Sequence, residues 1–104
     1  MKDELEVIMK SGEPGIAKFI VRGRINATNA STLDQKLETS INDGATHILM
    51  NMSQVDYLSS SGIRIILKIY KQLNELGGKF NIEFPSEHVK NVLGLVALDK
   101  MLIK

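Results

Sequence analysis

The residues best suited to chemistry lie in Tyr57-Leu58-Ser59-Ser60-Ser61-Gly62-Ile63, where three hydroxyls stand between an apolar run and a helical pattern. One hydroxyl at a helix start can accept an orphan backbone N–H and cap the helix. A neighbouring one, exposed on the same rigid corner, can be presented to another protein. A phosphate there gains from the partial positive charge and unused N–H groups of the helix end. It would change a docking surface by about −1.5 to −2 charges without unfolding the domain. Hydrolysis is a poorer fit, because a nucleophilic serine needs a base beside it. The Gly-x-Ser-x-Gly elbow is also missing, since Leu58-Ser59 precede Ser60 and glycine comes only at Gly62.

Other chemistry is thin. His47 and His88 lack metal-ligand spacing and read as ordinary surface or boundary histidines. Gly12-Glu13-Pro14-Gly15 precedes a strand pattern, so it is a hairpin turn and not a phosphate loop. Arg22 and Arg24, on either side of Gly23, read as a solvated strand end. No catalytic, metal or cofactor site is expected, and the pattern is that of a binding module.

Alternating elements must position the serines. Leu5 to Met9 and Ile16 to Val21 read as the strands of a hairpin, the second closed by Gly23. Asn26-Ala27-Thr28-Asn29 supplies cap-type residues for a helix with Ala30, Leu33, Leu37 and Ile41 on one stripe, stopped at Gly44. His47 to Met52 is almost continuously apolar and predicts a central strand covered on both faces. After the serines, Ile63, Ile66, Leu67, Tyr70 and Leu73 form a helical stripe that Ile65, Ile69 and Leu76 widen, with Gly77-Gly78 beyond it. Phe80, Ile82 and Phe84 alternate with polar residues as in a strand with one wet face. Ser86 caps a last helix that turns Val89, Val92, Leu93 and Val96 inward, and Met101-Leu102-Ile103 is a short final strand. The order β-β-α-β-α-β-α-β predicts an α/β fold, an N-terminal hairpin followed by parallel crossovers.

Composition narrows the class further. A chain of 104 residues fits one domain, 1–104, and reads as a complete protein. Thirteen basic against twelve acidic residues, with few aromatics, argue against a nucleic-acid surface. The absence of cysteine excludes disulfides and thiolate metal sites. No apolar run approaches the roughly 20 residues that span a bilayer, and Met1-Lys2-Asp3-Glu4-Leu5 is not a signal peptide. A cytoplasmic location without membrane insertion is the expectation.

The run Ile48 to Leu67, with YLSSSGI at its centre, resembles the signature of STAS domains, best known from bacterial anti-sigma factor antagonists. Val21-Arg22-Gly23-Arg24-Ile25-Asn26 resembles the family's early Gly-x-Leu-Asp segment. Leu76-Gly77-Gly78-Lys79-Phe80 resembles its Gly-Gly turn into a strand, and Val92 to Lys100 its closing helix and final turn. The resemblance implies a small mixed sheet with helices packed against it. It also implies a phosphorylation-controlled partner switch: the unphosphorylated antagonist binds an anti-sigma factor that is also a GHKL-type serine kinase, and so releases a sigma factor. Phosphorylation ends that binding and a serine phosphatase resets it. Matched by position, the phosphoacceptor is Ser60, and the docking surface takes in Asn26, Thr28, Ser59, Ser61, Gly62 and Arg64. Ser59 and Asn26 stand where family members carry acids, and serine before the acceptor with Arg64 after it resembles a variant branch of the family. The alternative within the family is an adaptor subunit of a transport complex or signalling scaffold, where the serines serve only as a cap.

Overall fold

The computed structural model describes residues 5–10, 13–98, 100 and 102–103. Its elements follow the expected order: β1 (Leu5–Lys10), β2 (Ile16–Ile25), α1 (Ala30–Asn42), β3 (His47–Leu58), α2 (Ser60–Glu75), β4 (Lys79–Glu83), α3 (Glu87–Leu95) and β5 (Leu102–Ile103). They build one five-stranded sheet in the order β1-β2-β3-β4-β5. β1 runs antiparallel to β2, and the later neighbours are parallel. Met101 of the expected last strand and Ser11-Gly12 of the hairpin turn lie outside the described residues.

Period-two alternation sorts the strands into two faces. Ala17, Phe19 and Val21 of β2, Ile48, Met50 and Met52 of β3, and Phe80 and Ile82 of β4 are buried. They form one cluster with Leu33 and Leu37 of α1, Ile66, Ile69 and Leu73 of α2, and Val89 and Leu93 of α3. Burying this face against the helices is the main driving force for the fold. The opposite face is not covered as expected for β3: His47, Leu49 and Asn51 are only half-buried there. A strand can be apolar on both faces without two helix layers, because its neighbours' side chains shield the second face partly.

Other expectations are corrected at element ends. β2 does not stop at Gly23 but runs to Ile25, absorbing register shifts between Ile20 and Arg22 and between Gly23 and Arg24. β3 continues through Ser53-Gln54-Val55-Asp56 to Leu58. Phe84 leaves β4 with φ 52 and is 55% exposed. Leu76 and Val96 are the C-caps of α2 and α3 and are exposed, because the chain has already turned there. The buried stripe of α2 runs through Gly62, Ile66, Ile69 and Leu73, so Ile63, Leu67 and Tyr70 flank it.

β4 pairs with β3 only as far as Asn51–Glu83. Beyond that point the start of α3 takes over beside β3. Ser86 N–H donates to the Met52 carbonyl at 3.2 Å and Ser86 Oγ donates to the Val55 carbonyl at 2.6 Å. Ser86 Oγ also accepts from Val89 N–H at 3.2 Å, so one side chain caps α3 and anchors it to the strand. Leu58 N–H donates to His88 Nε2 at 3.0 Å.

Candidate functional site

The parallel strands β2 and β3 deliver their C-terminal ends to one corner. Ser59 N–H donates to the Ile25 carbonyl at 2.9 Å, which fastens the β3–α2 junction to the end of β2. Ser59 has extended backbone (φ −81, ψ 171) and its side-chain oxygen accepts from Gly62 N–H at 3.3 Å, so it is the N-cap of α2 as expected. Ser60 is therefore released from capping. It is the first residue of α2, exposed, and its hydroxyl has no partner among the described residues. Ser61 is half-buried, and Arg64 is exposed one turn beyond Ser60. No acidic residue sits in the first turn of α2.

Gly62 is buried, and a Cβ built on it would come within 2.6 Å of Leu58 Cδ1 and 2.7 Å of Ile25 Cγ2. The first turn of α2 thus rests directly on the ends of both strands. The β2–α1 loop lies alongside. Asn26 Oδ1 accepts from Thr28 N–H at 2.9 Å and Asn29 N–H at 3.0 Å, while Asn29 Oδ1 accepts from Asn26 N–H at 2.9 Å. Asn29 is the N-cap position of α1, yet its side chain makes no cap bond because it is used in this reciprocal pair. Thr28 is exposed on the loop so formed. The structure brings Asn26, Ser59 and Gly62 together through Ile25, with Thr28, Ser60 and Arg64 on the solvent side.

Three further residues at this corner carry no spacing signal in the sequence. The Arg24 guanidinium lies 4.5 Å from the Tyr57 ring centroid, and the Tyr57 and His88 rings are 5.6 Å apart. His88 is therefore more than a boundary histidine. It accepts from Leu58 at Nε2, which puts the proton of the neutral ring on Nδ1. Only the fold brings residues 24, 57 and 88 together. The other histidine, His47, has Nε2 within 3.4 Å of Asn81 Oδ1 on the half-open sheet face, remote in register from the serines.

A model of the STAS domain family matches residues 7–104. The chain belongs to that family. BtrV of Bordetella bronchiseptica, whose name assigns it to the anti-sigma factor antagonists, is 29% identical over 78 residues, covering 75% of this chain and 67% of BtrV. The anti-sigma factor antagonist SpoIIAA in its unphosphorylated form superposes with a TM-score of 0.85 at 18% identity, covering 94% of this chain and 86% of that one. The phosphorylated form of Bacillus SpoIIAA superposes with a TM-score of 0.79 at 16% identity, covering 94% and 89%. At that identity the likeness is one of fold.

Within this STAS domain, the amide oxygen of Asn26 takes two backbone N–H groups. That task needs an acceptor but no negative charge. Outside the corner, α1 and α2 are clamped by Lys68 Nζ, 2.6 Å from Asp34 Oδ1 and 3.0 Å from Glu38 Oε2, and by Gln72 Nε2 donating to Glu38 Oε1 at 3.0 Å. The hydrogen bond from Gln72, then that from Lys68, holds the Glu38 carboxyl below its ordinary value. The Asp34 hydrogen bond raises Lys68 above its own. Among the described residues no three ligating side chains gather as a metal would need, and no helix is long and apolar enough to cross a membrane.

Proposed function

We propose that the protein is a phosphorylation-controlled anti-sigma factor antagonist without catalysis of its own. It binds an anti-sigma factor that is also a GHKL-type serine kinase while Ser60 carries a free hydroxyl, and so lets a sigma factor go. The observation that carries this reading is the division of labour between adjacent serines. Ser59 satisfies the helix end, which leaves Ser60 Oγ exposed and unbonded at the first helical position. Relatives bearing the antagonist name, and a SpoIIAA fold known in both unphosphorylated and phosphorylated forms, support it.

In the switching step Ser60 Oγ attacks the γ-phosphorus of ATP. The new O–P bond replaces the bond to the β-phosphate oxygen, ADP leaves, and the hydroxyl proton passes to a base on the kinase. The product is a dianionic group on a surface whose other contacts are the uncharged Asn26, Thr28 and Ser61 and the cation Arg64, with no acidic residue in the first turn of α2. The helix end and Arg64, four residues on, stabilise it within the chain. The kinase would then meet a desolvated charge where it had packed a hydroxyl. A serine phosphatase returns the protein to its binding state, and the site of this exchange is the cytoplasm.

The test pairs binding with chemistry. Ser60→Ala keeps the affinity for the cognate kinase, and Ser60→Asp weakens it at least about tenfold, or about 1.4 kcal/mol. Incubation with kinase and ATP places phosphate on Ser60 by mass spectrometry. Equal binding by both variants, or an unmodified Ser60, would favour the adaptor role and refute the switch.

A further inference from the structure

The edge strand β1 carries a pattern that its own chain leaves incomplete. β1 pairs with β2 on one side only, so the backbone groups on its other side have no strand partner among the described residues. Its even-numbered residues, Glu6, Ile8 and Lys10, lie on the sheet face away from the helices, opposite Arg22, Ile20 and Lys18 of β2. Glu6 is matched, with a carboxylate oxygen 3.5 Å from Arg22 Nη1. Lys10 is not: it stands opposite another lysine and has no acidic partner among the described residues. Like charges directly opposed across a ladder are unfavourable.

Ile8 and Met9 are also among the exposed large apolar side chains, at 38% and 58%. On the helix side, an open groove of 370 Å³ runs past β1 between Met9, Phe19 and the flank of α1 at Thr32, Lys36 and Thr39. The helix layer stops short of the edge strand.

We propose that this edge binds a second copy of the chain, β1 against β1 in antiparallel register about a two-fold axis at Ile8. Antiparallel neighbours must share a face, so only registers that pair even with even residues are allowed. With Ile8 on the axis, Glu6 of each copy falls opposite Lys10 of the other, and the lone lysine gains its acid twice. Ile8 meets Ile8 on the same face. On the other face Val7 falls opposite Met9 and adds apolar surface beside each groove. Charged residues on an edge normally block pairing. Here an acid and a base four residues apart do the reverse for one partner only, a copy of themselves.

One strand pair buries less than a standard interface, so the dimer is weak, with a Kd on the order of 10–100 μM. Sedimentation equilibrium over a concentration series spanning that Kd should show reversible dimerisation. Lys10→Glu should weaken it at least tenfold while leaving Tm unchanged or higher, since the new carboxylate faces Lys18 within the same chain. A melting temperature that holds separates loss of dimer from loss of fold. Because the chain has no cysteine, register can be read covalently. Ile8→Cys places two thiols across the axis with Cα atoms about 4.5–5.5 Å apart, within disulfide reach, whereas Glu6→Cys leaves them about 14 Å apart. Rapid oxidative dimerisation of the first and not the second supports the proposal. A wild-type monomer throughout, a dimer indifferent to Lys10→Glu, or equal cross-linking at both positions would overturn it.

Discussion

Gly62→Ala tests whether the serine corner is held by contact or merely by chain connectivity. The added methyl would sit 2.6 Å from Leu58 Cδ1 and 2.7 Å from Ile25 Cγ2. Those distances fall about 1 Å short of the 3.5–4.0 Å optimum for carbon contacts. Leu58 is 3% exposed and Ile25 is fully buried, so neither can swing into solvent. Overpacking of this kind costs about 1–3 kcal/mol. Against it stands the helix preference for alanine over glycine, about 0.8–1.0 kcal/mol in a helix interior and less in a first turn. The expected net is a destabilisation of about 1 kcal/mol, or a fall in Tm of about 5 °C for a domain of this size. Thermal and urea unfolding followed by circular dichroism would measure it. A double-mutant cycle sharpens the cause. Leu58→Ala alone should cost about 2–5 kcal/mol, and in that background only the Ile25 contact opposes the new methyl, so the Gly62 substitution should cost less than in wild type, a coupling of about 0.5–1 kcal/mol. A Gly62→Ala protein as stable as wild type, with effects that simply add to those of Leu58→Ala, would refute the packing argument.

Two further expectations rest on polar contacts. Lys68→Ala should lower stability by about 1 kcal/mol at neutral pH, because it removes a two-carboxylate clamp that is partly exposed and so partly screened. Glu38 is depressed in the folded state, so its share is present above the unfolded carboxylate range and fades as pH falls through the folded value. Lys68 is raised, so its share persists below the unfolded lysine value and fades as pH rises through the folded one. Denaturant melts of wild type and Lys68→Ala should therefore differ at neutral pH and converge at both extremes; a constant difference would contradict the clamp. His88→Leu, which strands the Leu58 N–H, should cost about 1–3 kcal/mol, while His88→Gln, which restores an acceptor, should recover part of it. Equal losses in the two variants would show that ring packing on Tyr57 matters and the hydrogen bond does not.

Periodicity made most of the architecture legible. The stripe at Ala30, Leu33 and Leu37 and the alternation at Phe80 and Ile82 announce the side of each element that joins the core, and all these residues are buried. Where elements stop was harder to read, because an apolar residue one step past the last turn keeps the period while the chain has already turned. Leu76, Phe84 and Val96 are of that kind. The second half of β3 was hidden for a different reason. Ser53-Gln54-Val55-Asp56 has no strand-like alternation, and it is held by pairing with β2 and by Ser86 and His88, both remote in sequence. The same limit applies at the serine corner: Ser59 as cap follows from local chemistry, but the Arg24–Tyr57–His88 stack depends on three segments meeting.

The replacement of β4 by the start of α3 along β3 has a consequence for how the corner opens. In an ordinary sheet interior, the amides of residues 53–58 would exchange with solvent only when two strands separate. Here the Leu58 amide is held instead by His88, on a helix turn that carries its own anchor at Ser86. Transient fraying of α3 at its N-terminus would release Leu58 N–H, loosen the segment that carries Ser59, and leave the β2–β3 ladder intact. Sequence changes at residues 86–88 should then be felt at Ser60 as altered exchange kinetics, with α3 acting as a latch on the strand from which the serine is displayed.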